Sequence, residues 1–285
     1  MRLYKYMSLA SLKAVLEHNT MGFSLPKDLN DPFDFPTAPD VQDYGFFGSL
    51  TASLKGSIWA QYMGVCSLTR TATNSLMWAH YADKHRGAVI EIDVGTAGFL
   101  NTDTNAIPAH FGSVIYLNNP NMSQYADTPN SGPGVVVGEL YNFRVDYYQQ
   151  LQRLFLSKPL CWAYEEEVRV VKCLRGVDED QPENESGTFT VVRRDDGSSM
   201  HAFHLPEGSV TQICFGISAN PYEVHRIVND FELEGCLIGR KRRGSYDVRF
   251  EPFQGAAEMI AGSQDWGDSS AVFSKVTGAL WSPLS

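Results

Sequence analysis

Two carboxylates separated by one residue, at the head of an apolar strand-like run, are the groups in this chain best equipped for chemistry. They lie in Lys158-Pro-Leu-Cys-Trp-Ala-Tyr-Glu-Glu-Glu-Val-Arg-Val-Val171. If residues 165–171 are extended, a period of two puts Glu165, Glu167 and Arg169 on one face and Val168 and Val170 on the other, with Glu166 on the valine side. Paired carboxylates of this kind can hold a hydroxyl, carry a proton and stabilise positive charge developing on a sugar ring. The same spacing also describes a solvated strand face on which the glutamates pair with Arg169. Both readings stay open at this level.

A second equipped stretch is Leu76-Met-Trp-Ala-His-Tyr-Ala-Asp-Lys-His85, which Ser75 can cap as a helix that Gly87 stops. Trp78 and Tyr81, three apart, share a helical face, either as a core stripe or as a stacking surface, and His80 points elsewhere. His80 can serve as an acid or base if a carboxylate such as Glu167 stands near it. Asn30, Asp31 and Asp34, in Asn30-Asp-Pro-Phe-Asp34, have the composition of a turn built on side-chain hydrogen bonds. No metal site is expected. Of the seven histidines only His201 and His204 are close in sequence, and on a strand a three-residue spacing sends them to opposite faces. A serine-hydrolase elbow, a phosphate-binding P-loop and a G-x-G-x-x-G turn are all absent.

These residues need a scaffold, and 285 residues with 43% apolar content can bury one large core. The pattern predicts a single α+β domain over residues 1–253, with a central, mostly antiparallel mixed sheet flanked by helices. Residues 254–285 form a tail, docked on the domain or partly mobile. A strand at Leu3–Tyr6 leads to a helix capped by Ser8 and stopping near Asn19, then to a strand at Met21–Leu25 and a structured turn. Residues 35–62 have no clear period. Strands follow at Gly64–Leu68, Ala88–Asp93 and Phe111–Leu117, the last two anchoring the sheet, and a helix is expected over Val137–Leu156. Phe189–Val192, His201–Leu205 and Val210–Phe215 suggest an antiparallel meander, and Asn220–Glu232 a helix with Pro221 in its first turn.

The net charge of -10 argues against indiscriminate binding to nucleic-acid backbone, with Arg240–Arg243 the one basic patch. Five cysteines, Cys66, Cys161, Cys173, Cys214 and Cys236, are odd in number and scattered, with no C-x-x-C pair, as expected of reduced packing residues. No run approaches a membrane span and the N-terminus lacks a signal-peptide pattern, so a cytoplasmic protein with no membrane partner is expected.

Three stretches in order carry a resemblance. They are Leu3-Tyr-Lys-Tyr6 with Phe23-Ser24 and Asn30-Asp-Pro-Phe-Asp34; Leu76-Met-Trp-Ala-His-Tyr-Ala-Asp83 with His85-Arg-Gly87; and Lys158 with Trp162 and Tyr164-Glu-Glu-Glu-Val-Arg169. Over about residues 3 to 240 the chain resembles the bacterial family of domain of unknown function 2971. A second resemblance is to the ADP-ribosyltransferases, which order a short Tyr-Arg/His-Gly strand motif, a Ser or Tyr position, and a Glu-x-Glu strand. Here Tyr4-Lys5-Tyr6 stands in the first place, Ser67-x-Thr69 or the Tyr81 helix in the second, and Glu165-x-Glu167 in the third. Lys5 departs from the pattern, since a lysine lacks the planar fork of arginine.

That resemblance implies a split sheet and NAD as substrate. Glu167 would hold a ribose hydroxyl and stabilise the sugar cation, and Glu165 would orient or deprotonate the acceptor. Lys5 would contact pyrophosphate, with Tyr4, Ser67, Asn30 and Asp31 also binding the nucleotide and Tyr6, Trp78 or Tyr81 stacking on nicotinamide. The expected function is an ADP-ribosyltransferase or NAD glycohydrolase acting on an unknown protein, RNA or DNA acceptor, in a toxin or phage-defence setting. Two other readings stand beside it. One is a non-catalytic module that recognises a nucleotide or a peptide. The other is a metal-dependent nuclease, if the fold brings Asp31 and Asp34 to Glu165 and Glu167.

Overall fold

The computed structural model describes residues 1–29, 31, 34, 60–118, 140–175, 183–194, 197–241, 244 and 248–255. Local rules set the first elements. β1 (Arg2–Met7) ends at Ser8, whose Oγ accepts the Ser11 N–H at 3.1 Å and caps α1 (Leu9–His18). Asn19 stops the helix in the left-handed conformation at φ 49°, where asparagine costs little, and β2 (Thr20–Ser24) follows. A short 3₁₀ turn at Pro26–Asp28 and a bond from the Asp34 N–H to the Asp31 carbonyl make the expected turn.

β3 (Met63–Thr69) precedes α2 (Ser75–Tyr81), which is shorter than expected and capped by Asn74 instead of Ser75. Asn74 Oδ1 accepts from the Leu76 and Met77 N–H groups. The helix ends at Tyr81 because Asp83, Lys84 and His85 all take positive φ, a turn that closes when Gly87 N–H reaches the Ala82 carbonyl. β4 (Ala88–Asp93) is a central, buried strand, as its apolar run predicts.

Phe111–Leu117 is not a strand of the main sheet. It divides into a 3₁₀ turn at Ala109–Phe111 and a short β5 (Ile115–Leu117), which pairs in parallel with β6 (Ser157–Pro159) in a separate two-stranded sheet. The predicted long helix appears as α3 (Val145–Phe155), which buries Tyr147, Leu151, Leu154 and Phe155 on one face. A 3₁₀ turn at Leu160–Glu165 then leads into β7 (Glu167–Cys173).

The rest of the chain builds two wings: β8 (Glu183–Asn184), β9 (Gly187–Arg193) and β10 (Ser199–His204) on one side, and β11 (Val210–Phe215), α4 (Pro221–Asp230), β12 (Leu237–Lys241) and β13 (Val248–Pro252) on the other. The expected meander holds only for β9 and β10. β11 crosses to the other wing, pairing antiparallel with β4 and parallel with β12. Pro221 does occupy the first turn of α4, capped by Asn220.

Among the described residues the main sheet runs β13-β12-β11-β4-β1-β3-β2-β10-β9-β8, with β7 on β3 off this path. The architecture is α+β, mostly antiparallel, and not a closed barrel. Its consequential feature is a split. β1 pairs with β4 over six residues but touches β3 only at Tyr4↔Thr69, and β2 touches β3 only at Ser24↔Val65. β7 pairs along the whole of β3, so β1 and β2 share β3's other edge and diverge across it. The wedge between them is the mouth of a cavity.

β7 is buried along its length although it carries Glu167, Arg169 and Lys172. Charges buried this deeply need partners. Lys172 finds only neutral ones: it donates to the Thr104 and Ser186 carbonyls at 2.9 and 2.8 Å and sits over the Phe203 ring. Burial lowers its pKa to about 8. A lysine whose pKa is lower in the fold than in the unfolded chain penalises folding when protonated, and the penalty lifts as pH rises from about 8 toward about 10.4. Against Lys172→Met, the wild type is therefore expected to gain about 2 kcal/mol between about pH 7 and 10. Urea unfolding of both proteins at each pH checks this, and parallel stability curves would contradict it.

Candidate active site

The cavity at the split encloses about 190 Å³, and its walls carry Lys5, Ser67, Tyr81, Lys158, Glu165 and Glu167. Five charged side chains meet at its floor. Lys158 Nζ, on β6, lies 2.5 Å from Glu165 Oε2, 3.2 Å from Glu167 Oε2 and 3.5 Å from Asp34 Oδ1. Arg169 grips Glu167 with two bonds, from Nε at 2.8 Å and Nη2 at 3.1 Å, and places Nη2 3.1 Å from Asp34 Oδ1. Its Nη1 donates to the Phe155 carbonyl at 2.9 Å. Each of the five is at most 6% exposed.

The way the chain delivers the two glutamates differs from the expected continuous strand. Glu165 ends the 3₁₀ turn, Glu166 takes a left-handed conformation at φ 46°, and the strand begins only at Glu167. Glu166 is thereby turned out into solvent and does not share the valine face. Glu165 and Glu167 still arrive on the same cavity wall. Thr69 Oγ1 holds the turn by donating to the Glu165 carbonyl at 2.5 Å, and the Glu167 N–H donates to Tyr116 Oη at 2.8 Å. The solvated ion-pair reading holds for the pairing with Arg169 and fails for the solvation.

Three carboxylates face two cations, and the local fields separate their proton affinities. Burial works to raise the Glu167 carboxyl, but Arg169, with help from Lys158 and a Ser67 hydrogen bond, more than offsets this and holds it at about 2. Burial pushes Glu165 up, and Lys158 and the Tyr81 hydroxyl, which donates to Oε1, oppose this only in part. Asp34 is also raised by burial against the pull of Arg169 and Lys158. Burial lowers the affinity of Lys158 for its proton, yet Glu167, Asp34 and Glu165 outweigh it and leave the ammonium firmly charged. The floor therefore holds one firmly ionised carboxylate, Glu167, beside two carboxyls, Glu165 and Asp34, whose affinity for a proton is raised.

The other expected site residues divide cleanly. Tyr4, Lys5, Tyr6, Ser67 and Tyr81 line the cavity. Tyr4 Oη donates to Glu91, Lys5 Nζ to the Ser67 carbonyl at 2.7 Å, and Tyr6 Oη to the Thr71 carbonyl. Trp78 does not line it. It is fully buried, packed edge-on to Tyr6, with Nε1 donating to the Ala72 carbonyl, and so offers no free face for stacking. His80 lies on the exposed side of α2 against Trp162 and Tyr164 and is not among the residues that line the cavity with Glu167. Asp31 accepts from Trp162 Nε1 at 2.5 Å and braces the turn that carries Glu165. Asn30 lies outside the described residues.

The sequence assigns no role to Lys158 or Arg194, and to Asp34 a turn role or, in the nuclease reading, that of a metal ligand beside Glu165 and Glu167. Lys158 stood in a recognised motif; its meaning depends on three partners, one of them more than a hundred residues away. Among the described residues no group of three His, Cys, Asp or Glu side chains is placed to hold a metal ion, and no helix is long and apolar enough to cross a membrane. All five cysteines are free, four buried and Cys161 exposed.

Comparison with known proteins adds one likeness. No curated protein matches the chain and no solved structure matches it. Over residues 77–170, about a third of its length, the chain matches the family described as Protein of unknown function (DUF2971).

Proposed function

We propose that the cavity at the split of the sheet is the active site of an NAD-consuming enzyme, an ADP-ribosyltransferase or NAD glycohydrolase. The observation that carries this reading is that Lys5, Tyr81, Glu165 and Glu167 line one cavity while their surroundings give the two glutamates opposite proton affinities. Separated affinities in a carboxylate pair are the pattern of an acid–base division of labour.

In this reading the C1′–N bond between ribose and nicotinamide breaks with its electron pair going to the pyridine nitrogen, so that nicotinamide leaves neutral and the ribose becomes an oxocarbenium ion. Glu167, locked as an anion by Arg169, stabilises that charge without having to reorganise. Glu165 accepts the proton of the water or acceptor hydroxyl that attacks C1′, and Lys158 and Tyr81 hold its carboxylate in place. At about 190 Å³ the cavity is smaller than a dinucleotide, so in this reading only part of NAD enters it.

A second reading, a nucleotide- or peptide-binding module without turnover, is favoured by one feature: both Glu167 oxygens are already held by Arg169 and Lys158. The nuclease reading gains Asp34 beside Glu165 and Glu167, but there the carboxylates are matched by fixed ammonium and guanidinium groups. Incubation of the protein with NAD, alone and with protein, RNA or DNA acceptors, separates the readings. Nicotinamide release that Glu167→Gln reduces supports the enzyme. A ligand-dependent rise in melting temperature with no release supports the binder. Cytoplasmic action as a toxin or phage-defence effector belongs to the same proposal and predicts loss of cellular NAD on expression.

A further inference from the structure

One carboxylate on the cavity wall has no partner. Asp28 ends the 3₁₀ turn Pro26–Asp28 that follows β2, and it lines the cavity together with Gly22 and Ser24 of that strand. Its Oδ2 is buried and, among the described residues, accepts no hydrogen bond. Nor does Asp28 form an ion pair among them. The other carboxylates of this wall and turn are taken: Asp34, Glu165 and Glu167 meet Lys158 or Arg169, and Asp31 accepts from Trp162 Nε1.

Building the turn does not use this side chain. An aspartate in a turn ordinarily accepts from the backbone a few residues on. Asp93 does so, holding the Gly95 and Thr96 N–H groups at 2.9 and 3.0 Å. At Asp28 the backbone closes the turn alone, with the Asp28 N–H on the Leu25 carbonyl at 2.9 Å and the Leu29 N–H on the Pro26 carbonyl at 3.3 Å.

His201 of β10 feels the Asp28 charge but does not neutralise it. Burial lowers its affinity for a proton and Asp28 restores this only in part, so the imidazole is uncharged at neutral pH. It is 8% exposed, and its Nδ1 is buried without a partner among the described residues. The fold therefore leaves both atoms open and does not satisfy one with the other. A buried acceptor left open costs the fold stability. Asp28 lines a cavity, where a ligand can satisfy it.

We propose that Asp28 is a ligand-binding residue whose carboxylate accepts a hydrogen bond from an N–H or O–H group of the substrate. An ionised acceptor makes such a bond strong, and it disfavours a ligand that presents a carboxylate there. The identity of the donor rests on the NAD reading. The half of NAD that carries the scissile bond offers two, the carboxamide N–H of nicotinamide and the hydroxyls of its ribose.

Asp28→Asn and Asp28→Leu both keep the size of the side chain; the first keeps one acceptor oxygen and the second keeps none. In thermal melting at neutral pH both are expected to melt at or above the wild-type temperature, since each removes a buried charge without a partner. Calorimetric titration of the three intact proteins with nicotinamide and, separately, with ADP-ribose then reads the ligand, and neither probe contains the scissile bond. At least one of them is expected to bind the wild type, and to bind Asp28→Leu at least about tenfold more weakly, the loss of one charge-assisted hydrogen bond. Asp28→Asn is expected to fall between. A loss for nicotinamide assigns the amide donor, and a loss for ADP-ribose assigns a sugar hydroxyl. Equal binding by all three proteins, no binding of either probe by the wild type, or a lower melting temperature of Asp28→Asn overturns the role of Asp28. Nicotinamide release from NAD, measured alongside, reports separately on the glycosidic reading. Release with equal probe binding overturns the role of Asp28 alone, and probe binding that depends on Asp28 without release overturns the chemistry alone.

Discussion

Arg169→Met is expected to destabilise the protein by about 3–5 kcal/mol at neutral pH, the usual cost of removing one partner from a buried ion pair. The size follows from where the charges are left. Glu167 and Asp34 are 4% exposed each, and Arg169 supplies both bidentate bonds to Glu167 and the 3.1 Å contact to Asp34. Lys158 alone then faces three carboxylates. The Phe155 carbonyl also loses its donor, which loosens the end of α3.

The pH dependence of this cost has a definite sign. In the wild type Glu167 is held at about 2, below its unfolded value, so its contribution is present above about pH 4.3 and lost as pH falls through about 2. Without Arg169 the burial that opposes ionisation is unbalanced, and the carboxyl shifts up. Protonation then relieves the variant, so its deficit should shrink between about pH 7 and 5. Chemical denaturation at both pH values measures this. A loss below about 1 kcal/mol, or one that does not change with pH, would contradict the network described above.

Glu165→Gln carries the second large expected effect, on turnover. The amide keeps the shape and can still hydrogen-bond Tyr81, but it cannot accept a proton. A general acid–base group contributes about 10²–10⁴-fold to rate, and a loss of that order in kcat is expected with little change in melting temperature. Tyr81→Phe should lower kcat less, because Lys158 still holds Glu165 Oε2. It should also raise the pH at which activity appears, since the Tyr81 hydrogen bond helps to keep Glu165 ionised. A pH–rate profile for the three proteins checks both, and a Glu165→Gln rate equal to the wild type would remove Glu165 from the chemistry.

Much of the scaffold was legible because its signals are local. Ser8 caps α1, Asn19 ends it, and the apolar run Ala88–Asp93 is a buried strand with the expected limits. The ends of α2 were not, since Asn74 and Ser75 are adjacent cap formers and only the reach of Asn74 Oδ1 decides between them. Three consecutive left-handed residues at Asp83–His85 likewise leave no periodic trace. β5 was misplaced because a short β-prone run does not announce which sheet it joins.

In the site, alternation correctly put Glu165 and Glu167 together but for the wrong reason, since the left-handed Glu166 produces the alignment. Asp34 meets Lys158 and Arg169 only because the fold brings distant stretches together, and no spacing rule reaches that contact. Trp78 and His80 show the converse. Their residue types suggest stacking and acid–base chemistry, and packing assigns one to the core and the other to the outer face of α2.

The most direct measurement is nicotinamide release from NAD by the folded wild-type protein, run beside Glu165→Gln from about pH 5 to 8. Release by the wild type is expected to rise as Glu165 loses its proton, with a flat, strongly reduced rate in the variant. No release by the wild type at any pH, or equal release by both proteins, would contradict it.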